Sequence, residues 1–240
     1  MEKISKAQIK QIRSLQQKKF RDETGLFIAE GEKCVEELRK GFELVHLYRE
    51  GENATRTEIE QMSGLRTPQG IIGIFRKRQI EENRENGGLV LALDGIQDPG
   101  NLGTIIRTCD WFGIHTIVCS TDTADCYNPK VVQATMGALA RIHLRYVDLP
   151  QWLATRQCPV YGTLLDGENM YKKLSDAGAR EEGIIIMGNE GNGISPKVRK
   201  CITHPLRIPS FPPQSETSES LNVAVATAII LAEFRRPKEK

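Results

Sequence analysis

Three polar segments, each following an apolar run, hold the side chains that could do chemistry in this chain. Their sequences are DGIQDPGNLGTIIRTCDWFG at residues 94–113, IIIMGNEGNGIS at 184–195 and IPSFPPQSETSESLNVAVATAI at 208–229. Loops at the carboxyl ends of strands are where an α/β sheet normally holds a ligand. These loops bring amides, a carboxylate, hydroxyls, an arginine and backbone N–H groups, which can orient and polarise a substrate. Their residues include no evident nucleophile–base pair and no set of metal ligands.

In the first segment, a proline and two glycines predict a tight, irregular turn after the strand. Asn101 then stands where a helix N-cap belongs, and Arg107 follows a turn and a half into the helix. Taken alone, this pattern favours a capping amide and a solvated or phosphate-binding charge. The Lys-Ser/Thr pair of a P-loop is missing, which disfavours a nucleoside triphosphatase.

The second segment has three glycines within six residues, Gly188, Gly191 and Gly193. Glycines at this density let a ligand approach the backbone closely. Their GxxGxG spacing differs from the dinucleotide-binding fingerprint GxGxxG, so dinucleotide binding has little support. Glu190 is the only acid in the loop, and taken alone it favours a bracing role over a catalytic one.

In the third segment, a strand ends at Ile208, a long Ser/Thr/Pro/Glu loop follows, and an apolar helix is predicted over residues 220–234. Ser218 or Ser220 is a candidate N-cap for that helix. Asn222 is expected one turn inside it. A buried amide there needs hydrogen-bond partners, and a ligand site is one way to supply them.

The elements that position these segments are predicted to form two domains. Residues 81–88 are polar and end in Gly-Gly, which is typical of a linker. They separate a small α/β domain of residues 1–80 from residues 89–240, where alternating strands and helices predict an open, mostly parallel sheet with helices on both sides. The predicted strands are residues 25–30, 43–48, 71–76, 89–94, 116–119, 142–147, 160–164, 184–187 and 202–208; the predicted helices are 5–19, 31–40, 55–62, 102–112, 129–136 and 220–234.

The composition is that of an ordinary globular protein, with 240 residues, 39% of them hydrophobic, and a net charge of +2. The sequence contains no membrane-span pattern and no secretory signal. Six scattered cysteines without a CxxC pair predict reduced thiols in a cytoplasmic protein, with no metal. The first 21 residues carry seven basic side chains and one acid, which indicates either a solvated helix face or a phosphate-binding surface.

Taken together, the motifs resemble those of the SpoU/TrmH family of RNA ribose 2′-O-methyltransferases, in the SPOUT superfamily. The resemblance spans residues 89–236, and residues 14–40 and 66–76 also resemble the RNA-binding domain that precedes the catalytic domain in many members. The matching sets are Asp98-Pro99-x-Asn101-x-Gly103 with Arg107-Thr108, then Gly188-Asn189-Glu190-Gly191-x-Gly193, and then Ile208-Pro209 with Ser220-Leu221-Asn222-Val223.

The resemblance implies a fold, a cofactor, a substrate and a set of site residues. The fold is an α/β sheet with a C-terminal trefoil knot, in a homodimer. S-adenosylmethionine is the methyl donor and RNA the substrate, ribosomal RNA being favoured over transfer RNA by the N-terminal domain. The implied cofactor-binding residues are Thr163, Leu164, Gly188, Ile208 and Leu221, and the implied catalytic or substrate-orienting residues are Asn101, Arg107, Glu190, Ser220 and Asn222.

Two questions stay open at this point. The loop between Ile208 and Ser220 is about four residues longer than is usual in the family, which leaves its cofactor contacts undecided. The second question is the identity of the general base. Because a guanidinium stays protonated, Arg107 is interpreted as a ligand of the substrate phosphate or as a stabiliser of the alkoxide. Phosphate, water or Glu190 is then the candidate proton acceptor. The alternatives are a base-N-methylating SPOUT enzyme, a non-catalytic RNA-binding protein on the same fold, or another enzyme on an open α/β sheet; the Ser-Leu-Asn motif favours ribose.

Overall fold

The computed structural model describes residues 4–78, 88–174, 182–212 and 220–237. Apart from Gly88, the predicted linker lies outside the described residues. No helix within these ranges is both long enough and apolar enough to cross a membrane. In chain order, the elements are α1 (Lys6–Ser14), α2 (Lys18–Thr24), β1 (Leu26–Glu30), α3 (Glu32–Leu38), β2 (Leu44–Arg49), α4 (Arg56–Met62), β3 (Ile71–Arg76), β4 (Leu89–Asp94), α5 (Pro99–Trp111), β5 (Thr116–Ser120), α6 (Pro129–Thr135), a 3₁₀ turn (Ala138–Ala140), β6 (His143–Val147), α7 (Leu149–Ala154), β7 (Val160–Asn169), α8 (Met170–Leu174), β8 (Gly183–Gly188), α9 (Pro196–Arg199), β9 (His204–Arg207) and α10 (Val223–Phe234).

The chain divides into two compact units. The first is made of Met1–Glu81 together with Asp125–Arg141, and the second of Glu82–Ala124 together with Ile142–Lys240. The sequence placed residues 125–141 in the second domain, but this segment, which contains α6, packs with the first. Aromatic contact is one reason, since the ring of Tyr127 lies 4.8 Å from that of Phe27.

In the first unit, three antiparallel strands pair in the order β1-β3-β2, and all three strands were predicted. The predicted helix over residues 5–19 is instead two helices, α1 and α2. The side chain of Arg21 explains the break, because its Nη1 donates to the Leu15 and Gln16 carbonyl oxygens at 2.9 and 3.0 Å. Those carbonyls would otherwise accept the hydrogen bonds of a continuing helix.

The second unit is built on a six-stranded sheet in the order β6-β5-β4-β8-β7-β9, and every pairing is parallel. This confirms the predicted α/β architecture and its six strands. Ala92 packs into a cluster with α7 and α9 residues, while its neighbour Leu91 points to the opposite face, and both are fully buried. The sheet is therefore covered on both faces, which is why β4 is apolar throughout.

Candidate active site

Two of the three polar loops lie side by side because the strands before them are parallel neighbours. β4 and β8 pair in register up to Asp94 and Gly188, so their carboxyl ends meet at one edge of the sheet. Asp94 Oδ2 accepts a hydrogen bond from Ser195 N at 2.7 Å. Asn189 Nδ2 donates to the Gly95 carbonyl oxygen at 2.6 Å. These two bonds tie the loop after β4 to the loop after β8.

The N-cap of α5 is Asp98, so the prediction that Asn101 fills this position was wrong. Asp98 Oδ1 accepts a hydrogen bond from Asn101 N at 2.8 Å, and Pro99 begins the helix. A proline is tolerated there because the first helical N–H has no partner within the helix. Asn101 falls in the first turn of α5, where its side-chain amide is not used for capping.

That amide is the centre of a hydrogen-bond chain that joins all three segments. Asn101 Nδ2 donates to Glu190 Oε1 at 3.0 Å, and Asn222 Nδ2 donates to Asn101 Oδ1 at 2.9 Å. The side-chain amide of Asn101 thus donates one hydrogen bond and accepts another. Glu190 and Asn222 are exposed and Asn101 is half-buried, so the chain lies where a large substrate can reach it.

Glu190 braces the loop after β4 as well as holding Asn101. Its Oε2 lies 3.4 Å from Gln97 N, and its Oε1 lies 3.4 Å from Asp98 N. Both carboxylate oxygens therefore face donors of the neighbouring loop. A carboxylate held in this way orients Asn101, which agrees with the bracing role that the residue type favours.

Asn222 has a different position from the one predicted. It is the N-cap of α10 and is exposed, whereas the sequence placed it buried one turn inside the helix. Its Oδ1 accepts hydrogen bonds from Ala224 N at 2.9 Å and Val225 N at 3.3 Å. Ser220 is exposed and lies two residues before this cap, so it does not cap the helix, and Ser218 lies outside the described residues.

Asn189 is a positioning residue that the sequence analysis did not single out. Its Oδ1 accepts hydrogen bonds from Gly191 N and Asn192 N, both at 2.9 Å, while its Nδ2 reaches Gly95. It therefore shapes the glycine loop that carries Glu190. An asparagine that bonds the backbone two residues ahead is a common turn signal, and this signal was available in the sequence.

Arg107 does not join the cluster of amides. It is exposed on α5, six residues after Asn101, and six residues turn a helix by about 600°. The two side chains therefore project from different faces of the helix. Within the described part of the chain, no carboxylate forms an ion pair with Arg107, so its guanidinium faces solvent.

Of the five residues implied to bind the cofactor, Gly188 ends β8 and Ile208 directly follows β9, whereas Thr163 and Leu164 lie within β7 and Leu221 lies just before α10. The ladder between β7 and β8 ends at Gly162 and Ile186, although β8 continues to Gly188. Beyond Gly162 the hydroxyl of Thr163 joins the two strands, since its Oγ1 donates to the Ile186 carbonyl oxygen at 3.1 Å and lies 3.6 Å from Met187 Sδ. Thr163, Leu164, Gly188 and Ile208 are half-buried and Leu221 is 48% exposed.

The chain belongs to the SpoU rRNA Methylase family. Its parallel α/β sheet and its three-loop site are the features that define this class of protein. The model of that family matches residues 88–232. The model of a second family, the MRM3-like substrate binding domain, matches residues 6–57. Both the catalytic and the N-terminal parts of the chain therefore have counterparts in known families.

Individual relatives match over nearly the whole chain. The chain is 30% identical to the 23S rRNA (guanosine(2553)-2′-O)-methyltransferase RlmP of Bacillus subtilis, with 98% of each protein covered. A TrmH-family structure from Porphyromonas gingivalis is 37% identical, with a TM-score of 0.86, and 97% of this chain and 98% of that chain are covered. An AdoMet-bound rRNA methyltransferase from Sinorhizobium meliloti is 32% identical, with a TM-score of 0.81 and coverage of 95% and 93%.

Proposed function

We propose that this protein transfers a methyl group from S-adenosylmethionine to the 2′-hydroxyl of a ribose in ribosomal RNA. The observation that carries the proposal is the hydrogen-bond chain Glu190–Asn101–Asn222, which links all three family motifs. Similarity over the whole chain to a 23S rRNA 2′-O-methyltransferase supports the reaction and the substrate class. The AdoMet-bound relative supports the choice of methyl donor.

The proposed reaction is an in-line displacement. The ribose oxygen forms a bond to the methyl carbon while the carbon–sulfur bond breaks, and the hydroxyl proton leaves. S-adenosylmethionine supplies the activated methyl group. The task of the protein is alignment, a factor that can lower the barrier by as much as about 7–11 kcal/mol. The amides of Asn101 and Asn222, with the hydroxyl of Ser220, are suited to orienting the ribose.

Charge and proton transfer complete this scheme. A guanidinium is always protonated, so Arg107 acts by binding the substrate phosphate or by stabilising the developing alkoxide. Both oxygens of Glu190 already face donors of the loop after β4. We therefore assign the hydroxyl proton to water or to a substrate phosphate, and give Glu190 the positioning of Asn101.

The cofactor is proposed to lie beyond the end of the β7–β8 ladder. Gly188, Ile208 and Leu221 would contact it through the backbone, and Thr163 or Leu164 would line the adenosine pocket. Support comes from the early end of the ladder at Gly162 and from the incomplete burial of all five residues.

The remaining proposals concern the rest of the molecule. Residues 1–80 would bind the RNA, the C-terminal segment would form a trefoil knot, and the protein would act as a homodimer in the cytoplasm.

Exposed apolar side chains support the dimer. Trp111 of α5 is 84% exposed and Val225 of α10 is 50% exposed, and these two helices pack together. Replacing Trp111 with Glu should then yield monomers in sedimentation analysis.

The test is transfer of tritiated methyl groups from S-adenosylmethionine to total RNA from cells that lack this protein, followed by nucleoside analysis. A labelled 2′-O-methylnucleoside in ribosomal RNA is expected. Label on a base would indicate a base-N-methylating enzyme. RNA binding without any cofactor binding would indicate a non-catalytic RNA-binding protein.

A further inference from the structure

The acidic side chains that the structure describes in the first unit are all engaged within that unit. Among the residues that the structure describes there, two glutamates accept hydrogen bonds from neutral groups: Glu30 from Ser63 and Glu58 from Thr55. The other carboxylates pair with cations. These pairs are Lys18 with Asp22, Lys19 with Glu23, Arg21 with Asp125, Arg39 with Glu36, Lys40 and Arg141 with Glu37, Arg49 with Glu32 and Glu52, Arg56 with Glu50 and Glu60, Arg76 with Glu43, and Lys77 with Asp22.

This pairing divides the six basic residues that the structure describes near the N-terminus into two groups of three. Lys18, Lys19 and Arg21 are used inside the unit, and hydrogen bonds from Lys18 and then Lys77 lower the pKa of Asp22 to about 2. The three cations of α1 differ, because no described carboxylate lies within 4.0 Å of Lys6, Lys10 or Arg13. No acidic residue occurs in α1. The sequence alone treated all seven as one basic run.

The three unpaired cations lie on one face of α1. They are spaced i, i+4 and i+7, which brings them into line along the helix. All three are exposed, while Ile12 on another face is 6% exposed and packs into the core of the unit. A capping box between Ser5 and Gln8 holds the first turn, so the helix presents these charges as a fixed row.

Helix stability does not account for this row. Lys6 occupies the first position of α1, where the partial positive charge of the helix end favours an acid, and the first turn contains none. Arg13 Nη1 donates to the Gln61 carbonyl oxygen at 3.3 Å, which leaves most of its N–H donors available. An external polyanion would satisfy all three side chains.

We propose that this face of α1, the row of Lys6, Lys10 and Arg13, binds the phosphate backbone of the RNA substrate. The inference rests on the proposed function for the identity of the polyanion. A lysine or arginine side chain that neutralises a phosphate releases the counterions that were bound to the RNA. Each such contact therefore contributes an affinity that decreases with increasing salt and that does not depend on the base. The row therefore supplies affinity and orientation, while the choice of nucleotide lies with the amide cluster.

The test compares two double variants of the full chain that remove the same charge. Lys6→Gln with Lys10→Gln removes the proposed contacts. Lys18→Gln with Lys19→Gln is the matched control, because those side chains are 66% and 74% exposed but already paired. Binding to ribosomal RNA from cells that lack the protein is measured across a salt series, together with KM and kcat for methyl transfer and binding of S-adenosylmethionine.

In the first variant, the slope of log K against log salt should fall by about 1.4–1.8. The KM for RNA should rise about 10-fold near 0.1 M salt, with kcat and cofactor affinity unchanged. The control should keep the wild-type slope. The proposal would be overturned if both variants lost RNA affinity equally, or if the slope in the first variant did not change. It would also be overturned if the wild-type protein bound anionic phospholipid vesicles more tightly than RNA through these cations. Because the slope needs no turnover, a failure of methyl transfer in the wild type would count against the proposed function alone.

Discussion

The side-chain amide of Asn222 donates a hydrogen bond to the side-chain oxygen of Asn101 at 2.9 Å, across 121 residues of sequence. The oxygen of the same Asn222 amide accepts from Ala224 N and Val225 N. One side chain therefore caps α10 and also fixes the amide orientation of Asn101. That orientation presents Asn101 Nδ2 to Glu190.

The two roles of Asn222 can be separated by substitution. The Asn222→Asp variant keeps an oxygen that can cap α10 but places a carboxylate against Asn101. The side chain of Asn101 has only one donor group, and it would then lie between this carboxylate and that of Glu190. We expect unchanged thermal stability, with kcat reduced about 100-fold, the usual scale for a lost transition-state donor. Asn222→Ala should show the same kcat loss and lose about 1 kcal/mol of stability as well. Full activity of Asn222→Asp would refute the orienting role.

Glu190→Gln tests whether this carboxylate positions Asn101 or takes the proton. A glutamine can still accept from Asn101 but loses the charge and one acceptor oxygen. We expect kcat to fall about 10-fold, the scale of one charged hydrogen bond, with an unchanged shape of the pH–rate profile. If Glu190 were the general base, the loss would reach about 100-fold or more, and the acid limb of the profile would move.

Arg107→Lys tests the guanidinium itself. The residue is exposed on α5, so the variant should fold normally. A lysine keeps the charge but not the planar fork that binds phosphate oxygens in pairs. We expect kcat for methyl transfer to fall about 100-fold, with cofactor affinity unchanged in calorimetry. Near-full turnover would argue against a specific role of the guanidinium.

Asn189→Ala should loosen the glycine loop. It removes three hydrogen bonds, including the one to Gly95, and leaves two backbone N–H groups without their acceptor. We expect a loss of about 1–3 kcal/mol in urea unfolding and a lower kcat. Asn192→Ala is the control, since the side chain of Asn192 is exposed in the same loop and should change stability by less than about 0.5 kcal/mol. Equal effects of both variants would exclude a special role for Asn189.

Local patterns predicted most elements because local chemistry specifies them. The apolar run of β4 has to be buried on both faces, and such strands occur in parallel sheets. The break between α1 and α2 was missed because its cause is Arg21, which bonds carbonyls five and six residues earlier along the chain. The placement of residues 125–141 was missed for a related reason, since Tyr127 contacts Phe27, a hundred residues earlier.

By itself the sequence determined the three motifs, the α/β alternation and the residue types of the candidate site, because each depends on neighbours in the chain. It misplaced both asparagines: Asp98 took the cap expected of Asn101, and Asn222 became a cap itself. Only the tertiary structure decided that Glu190, Asn101 and Asn222 form one hydrogen-bond chain. The parallel register of β4 with β8 and the packing of α10 against α5 bring them together, and both depend on contacts between residues that are distant in the sequence.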